Sequence, residues 1–142
     1  MKTKYTEWVN AETMHQDSLG WLSELRFIKN EELFFDDLVK SYTLQLIDSK
    51  HFRESKIIVE QLSSLQKKTD VLIDTVLTHE TGLKVMVDGV NEFKEEKAYK
   101  DEHGKLITKI SAFLENYRIL KSQLFALIKS IIKEEKQKRL LQ

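Results

Sequence analysis

The chain contains no cysteine, no proline, only four glycines in 142 residues, and no excess charge of either sign, with 23 Lys plus Arg against 23 Asp plus Glu. Each scarcity excludes something. Without cysteine there is no disulfide framework, zinc ribbon, iron–sulfur cluster or thiol nucleophile. Proline locks φ and has no N–H to donate, so its absence, where ordinary usage of ~5% would place about seven, leaves nothing to break a helical ladder from within. Zero net charge removes the global field that draws a protein to nucleic acid or to an anionic membrane, and neither is an expected partner. No stretch approaches the ~18 apolar residues of a membrane span, and Met1 to Asn10 lack the apolar core of a secretory signal, so a cytoplasmic location is expected.

What is present is a chain 41% hydrophobic and 32% charged. That balance fits one domain over residues 1–142, large enough to bury ~68% of its unfolded surface. Alternation at period two is nowhere sustained, whereas spacings of three and four recur throughout, which predicts helix. Three seams carry the pattern. The first runs from Ala11 and Met14 through Trp21, Leu25, Ile28, Glu32 and Phe35 to Leu46. The second runs from His51 through Ile58, Leu62, Leu65, Thr69 and Val76 to His79, Leu83 and Val90, with Phe93 continuing the spacing. The third runs from His103 through Ile110, Phe113, Tyr117, Leu120 and Leu124 to Ile131. A repeat of 3.5 residues held this long predicts an all-α fold, an antiparallel bundle of three long helices with coiled-coil-like packing, open to completion by oligomerisation.

The breaks are expected at Asp48-Ser49-Lys50, where capping-type residues appear, and between Gly89 and Gly104, where glycine meets a dense charge cluster. The helices then lie near 11–47, 51–89 and 102–139. Glu92 to Lys100 offers an alternative, as an extension of the second helix supported by the i,i+4 pair Glu96 and Lys100, and Gly82 offers an earlier end to it. In the charged tail from Lys133 to Arg139, the spacings Glu134 to Lys138 and Glu135 to Arg139 read as i,i+4 ion pairs at a helix C-terminus rather than a nucleic-acid patch.

No phosphate-binding glycine loop, nucleophile elbow, HExxH helix or calcium loop occurs, and an enzyme is not expected. Four histidines and the carboxylates are the raw material for any site. A di-iron carboxylate bundle needs two Glu-x-x-His pairs, and only Glu12-Thr13-Met14-His15 matches. With the second turn centred near residue 95, Glu12, His15 and His103 gather at one end, a set suited to a divalent metal, with His79 and Glu80 joining only if the register shifts. His79 and His103 lie on seams, where a packing role with one satisfied hydrogen bond competes with ligation. Glu32, an acid on a seam, is expected to meet Lys67 or Lys68 or to rotate outward, and so to specify register.

Apolar residues exceed what single seams bury. The first helix adds Leu22, Phe27, Leu33, Phe34 and Leu38, and the third adds Ile119, Phe125, Ile128 and Ile132. A spare stripe of this kind is either buried within one broad monomer core or marks a partner surface. Trp21, Phe34 and Phe125 are the candidate anchors of such an interface.

Trp21-Leu22-Ser23-Glu24-Leu25, followed by Phe27, Glu31 and Phe34-Phe35, resembles the first helix of a family of short bacterial helical proteins of uncharacterised function. The resemblance covers about a quarter of the chain and implies a long-helix bundle without a reaction, substrate or cofactor. In that family a histidine often precedes the tryptophan by three residues, where this sequence has Ser18 and places His15 one turn earlier.

Two functions follow as expectations. The first is a non-enzymatic interaction or scaffold protein, acting on a protein partner or on copies of itself through helix–helix contacts and needing no cofactor. The second is a metal-binding bundle, hemerythrin-like or ferritin-like in general architecture, with Glu12, His15, His103 and His79 as ligands.

Overall fold

The computed structural model describes residues 10–88 and 93–141, apart from the side chains of residues 84–88 and 93–95. Four helices account for them: α1, Ala11–Ser41; α2, Thr43–Leu46; α3, Phe52–Asp88; and α4, Phe93–Leu141. The fold is all-α, and the described residues form no strand.

Local chemistry sets the ends. Asn10 caps α1, its Oδ1 accepting from Thr13 N at 2.8 Å, which satisfies one of the unpaired N–H groups of the first turn. The far end of α1 carries side chains that compete for helix carbonyls. Ser41 Oγ donates to Asp37 O at 2.9 Å, and Thr43 Oγ1 lies within reach of Val39 O at 3.1 Å and Lys40 O at 2.9 Å. The ladder lapses at Tyr42 and resumes as the single turn α2. The expected first helix is therefore two, and three helices become four. Asp48 closes the connection as anticipated: its Oδ1 accepts from Lys50 N, and its carbonyl accepts from His51 N and Phe52 N.

The second connection is a clear correction. Residues 93–100 belong to α4, neither to a loop nor to an extension of α3, and the Glu96–Lys100 pair, at 3.8 Å, lies inside α4. Gly104 also falls within α4, while Gly89 lies outside the described residues. Gly82 does not end α3; it sits inside that helix with the Tyr99 ring against it, so the missing Cβ gives α4 its close approach.

Every residue named on the third seam is buried, and from Ile110 to Ile131 they line the main core with Leu25, Ile28 and Phe35 of α1 and Ile58, Leu62, Leu65 and Val76 of α3. Removing each such aliphatic side chain from water contributes ~1.5–3 kcal/mol. Met14 and Leu83 form a smaller cluster at the far end, with Ala11 and Tyr99 against it. Between the two apolar regions lies a polar layer of Ser18, His79 and His103, all essentially inaccessible.

Polar contacts fix how the helices meet. Lys29–Asp70, Asp36–Gln66 and Glu32–Thr69 join α1 to α3 in opposite senses. His51, just before α3, meets Glu134, and His79 meets His103, so α3 and α4 also run in opposite senses. Glu31 accepts from Lys121 Nζ at 2.8 and 2.9 Å and from the Tyr117 hydroxyl, tying α1 to α4 in parallel. Burial raises the Glu31 carboxyl but is outweighed by Lys121 and Tyr117, which hold it below the usual range. Glu134 turns to His51 and Lys50, each at 2.9 Å, rather than to the expected Lys138, and those two groups pull its carboxyl down to about 2.

Candidate functional site

The polar layer is built from seam positions that meet at one level. The α3 and α4 bounds centre their connection near residue 91 rather than 95, which slides α4 along α3 by about two turns and brings residue 103 opposite residue 79. The expected separation of these histidines, about 12 Å along the axis, becomes a direct hydrogen bond. His79 Nε2 and His103 Nδ1 are 3.0 Å apart with both rings buried.

The pair continues outward at both ends. His79 Nδ1 lies 2.9 Å from Glu102 Oε1, and His103 Nε2 lies 2.9 Å from Asp17 Oδ2. A chain of carboxylate, imidazole, imidazole and carboxylate thus crosses the assembly. Its two ends reach water, with the Glu102 side chain 52% exposed and that of Asp17 34% exposed. Trp21 stacks on His103 with centroids 4.6 Å apart, and Tyr99 tilts against His79 at 5.7 Å. The indole shields the imidazole on one face, so Trp21 is half-buried rather than a freely projecting anchor.

A proton count follows from this geometry. Three hydrogen bonds in series need three protons, whereas two ionised carboxylates and two neutral imidazoles supply two. Each outer N–H points at a carboxylate, and the central bond is filled only if the imidazole pair holds one proton more. Burial, reinforced by the neighbouring His79 and opposed by Asp17, keeps His103 below the ordinary imidazole value.

Of the four residues chosen from the sequence as metal ligands, the structure brings His79 and His103 into direct contact. His79 and His103 spend their nitrogens on each other and on Glu102 and Asp17. His15 turns to Glu80, its Nδ1 2.5 Å from Oε1 but out of line for a hydrogen bond, and Glu80 Oε2 is buried without a partner among the described residues. Glu12 is exposed and accepts from Gln16 Nε2 at 3.3 Å. Among the described residues no group of three or more His, Asp or Glu side chains is arranged to hold a metal ion. Asp17 and Glu102 were not among the candidates, because each stands one residue before a seam position, where exposed acids are common.

A second buried acid follows the same logic. Glu32, expected beside Lys67 or Lys68, meets Thr69 instead. Thr69 Oγ1 lies 3.1 Å from Glu32 Oε2 and 2.9 Å from Leu65 O, and its one proton serves only one of them. A protonated Glu32 donating to the hydroxyl, which donates on to Leu65, satisfies all three. Burial pushes the Glu32 carboxyl up to about 7, in keeping with that arrangement.

Comparison of the chain with protein-family models, with curated proteins and with solved structures finds no match in any of the three. No helix among the described residues is long and apolar enough to cross a membrane.

Proposed function

We propose that the protein is a helical interaction module in which three long helices form a unit that a second copy of the chain completes. One observation carries the reading: an apolar shoulder where α1 meets α4 stays exposed beside a filled core. Phe27 and Phe34, seven residues apart on α1, are 64% and 54% exposed, and Phe125 and Ile132, seven apart on α4, are 40% and 46% exposed. Seven residues is two helical turns, so each pair forms one stripe. Phe125 rests edge-on against the buried Phe35, with centroids 5.7 Å apart, and Phe34 flanks the same ring at 5.9 Å.

Charge on the shoulder supports a second copy as its occupant. The α1 half carries exposed Glu24 and Asp37, and the α4 half carries exposed Lys129 and Lys136. A two-fold axis running along the helices lays each acidic half on the basic half of the other copy, as an isologous interface requires. The histidine chain then serves as the internal polar layer that holds α1, α3 and α4 in one register, a role buried polar groups play in coiled coils.

Sedimentation velocity tests the reading. The expected result is twice the chain mass at concentrations of about 10–100 μM, reverting to one chain mass in Phe34→Asp and again in Phe27→Asp, both outside the core. A wild-type chain that stays monomeric through that range refutes it.

A further inference from the structure

A second surface lies between α3 and α4. Residues 61–72 and 109–123 flank an open groove of about 840 Å³, with buried Phe113 at its floor and Val71 and Ile119 on its walls, 63% and 46% exposed. Apolar side chains this exposed, spaced along one groove between two facing helices, form a seat rather than scattered surface hydrophobics. The rim has one sign. Lys67, Lys68 and Lys109 line it, no carboxylate does, and none of the three is ion-paired among the described residues. On a chain of zero net charge, three uncompensated cations around an apolar trough are a local bias, and they define what the trough accepts.

We propose that this groove seats an amphipathic helix of a partner protein whose apolar stripe is flanked by Asp or Glu. The proposal rests on the reading that the protein works by helix docking, but it uses a different face from the α1/α4 shoulder. The flanking segments span ~17 and ~21 Å at 1.5 Å per residue, which sets the occupant at three to four turns. Its apolar residues fall at i, i+3 or i+4, and i+7, meeting Val71, Phe113 and Ile119 in turn. Its acids meet Lys67 and Lys68 on one side and Lys109 on the other. A helix this short is marginal alone in water, so the partner supplies it from a folded domain or orders it on binding.

Two synthetic peptides of sixteen residues provide the test, identical in their leucine stripe and differing only in whether Glu or Lys flanks it. Fluorescence anisotropy measures their binding to the full chain and to two variants, Ile119→Asp and the triple charge reversal Lys67→Glu, Lys68→Glu, Lys109→Glu. The wild type is expected to prefer the Glu-flanked peptide by about tenfold at low salt, a preference that shrinks when salt is raised. The charge-reversed variant is expected to prefer the Lys-flanked peptide, and Ile119→Asp to bind neither. All three substitutions of lysine are on exposed helix surface, and circular dichroism checks that each variant is still helical.

Equal binding of the two peptides, no saturation of either, or unchanged binding to Ile119→Asp overturns the proposal. So does a loss of oligomer mass in Ile119→Asp, which would make a second copy the occupant of the groove. A monomeric wild type with selective peptide binding would refute self-association at the shoulder and leave the groove intact, so the two readings fail separately.

Discussion

Replacing one histidine of the buried pair is expected to cost more than replacing both. In His103→Leu the apolar side chain fills most of the space under Trp21, but His79 Nε2, its ring buried, loses the group 3.0 Å away. A buried nitrogen left without a partner costs ~1–3 kcal/mol, and loss of the Trp21 stacking adds ~0.5–1.5 kcal/mol. The expected destabilisation is therefore ~2–4 kcal/mol, a large fraction of the ~5–15 kcal/mol that holds a typical domain together. His79→Leu acts alike by removing the ring that faces His103 Nδ1. In the double variant no buried nitrogen remains, so its cost falls below the sum of the singles by ~1–3 kcal/mol.

Urea unfolding followed by far-UV circular dichroism at pH 7.5 measures all three variants, and their midpoints and slopes separate stability from any change in the unfolded state. The same chain gives a pH dependence. Because the native His103 lies below the ordinary value of ~6.5, the unfolded chain takes up its proton first on acidification. His103's contribution to stability is complete above ~6.5 and is lost as the pH falls through the lower native value. The double leucine variant should lose that slope. Additive single costs, or a stability difference between wild type and double variant that does not change with pH below 6.5, would refute the coupled pair.

Further outcomes follow from other buried groups. Glu32, with its native carboxyl pushed up to about 7, contributes in the opposite sense: its proton stays on longer in the native state, so stability is full below ~4.5 and declines as pH rises through about 7. Glu32→Gln is accordingly expected to raise stability at pH 8 by ~1–3 kcal/mol and flatten that decline in a urea series, and a destabilised variant at pH 8 would count against the protonated form. Gly82→Ala drives a Cβ into the Tyr99 ring and should cost ~1–3 kcal/mol in thermal melts, whereas the ~1 kcal/mol gain usual for Gly to Ala in a helix would show that α3 and α4 do not meet there.

Much of this protein is written in local pattern. The absence of proline and the three seams predict long helices, and residues buried along the third seam are those its spacing selects, because a side chain's face on a helix depends only on its own position in the turn. Asp48 likewise marks a connection through its own hydrogen bonds. Seam membership also marked His79 and His103 as inward-facing. Which residue each would meet was not legible, since a seam repeats every seven residues and two helices can slide by a heptad with their apolar faces still matched.

Tertiary structure decided the rest by pairing what sliding would leave unpaired. Starting α4 at Phe93 aligns His79 with His103 and lets Asp17 and Glu102, both off the seams, close the chain. Thr69 meets Glu32 where a lysine was expected, and Tyr99 lies on Gly82, which reads in sequence as a helix end. Apolar contacts tolerate a change of partner at modest cost, but a buried donor or acceptor needs one at ~3 Å, so the polar residues discriminate among registers that the hydrophobic repeat treats as equivalent.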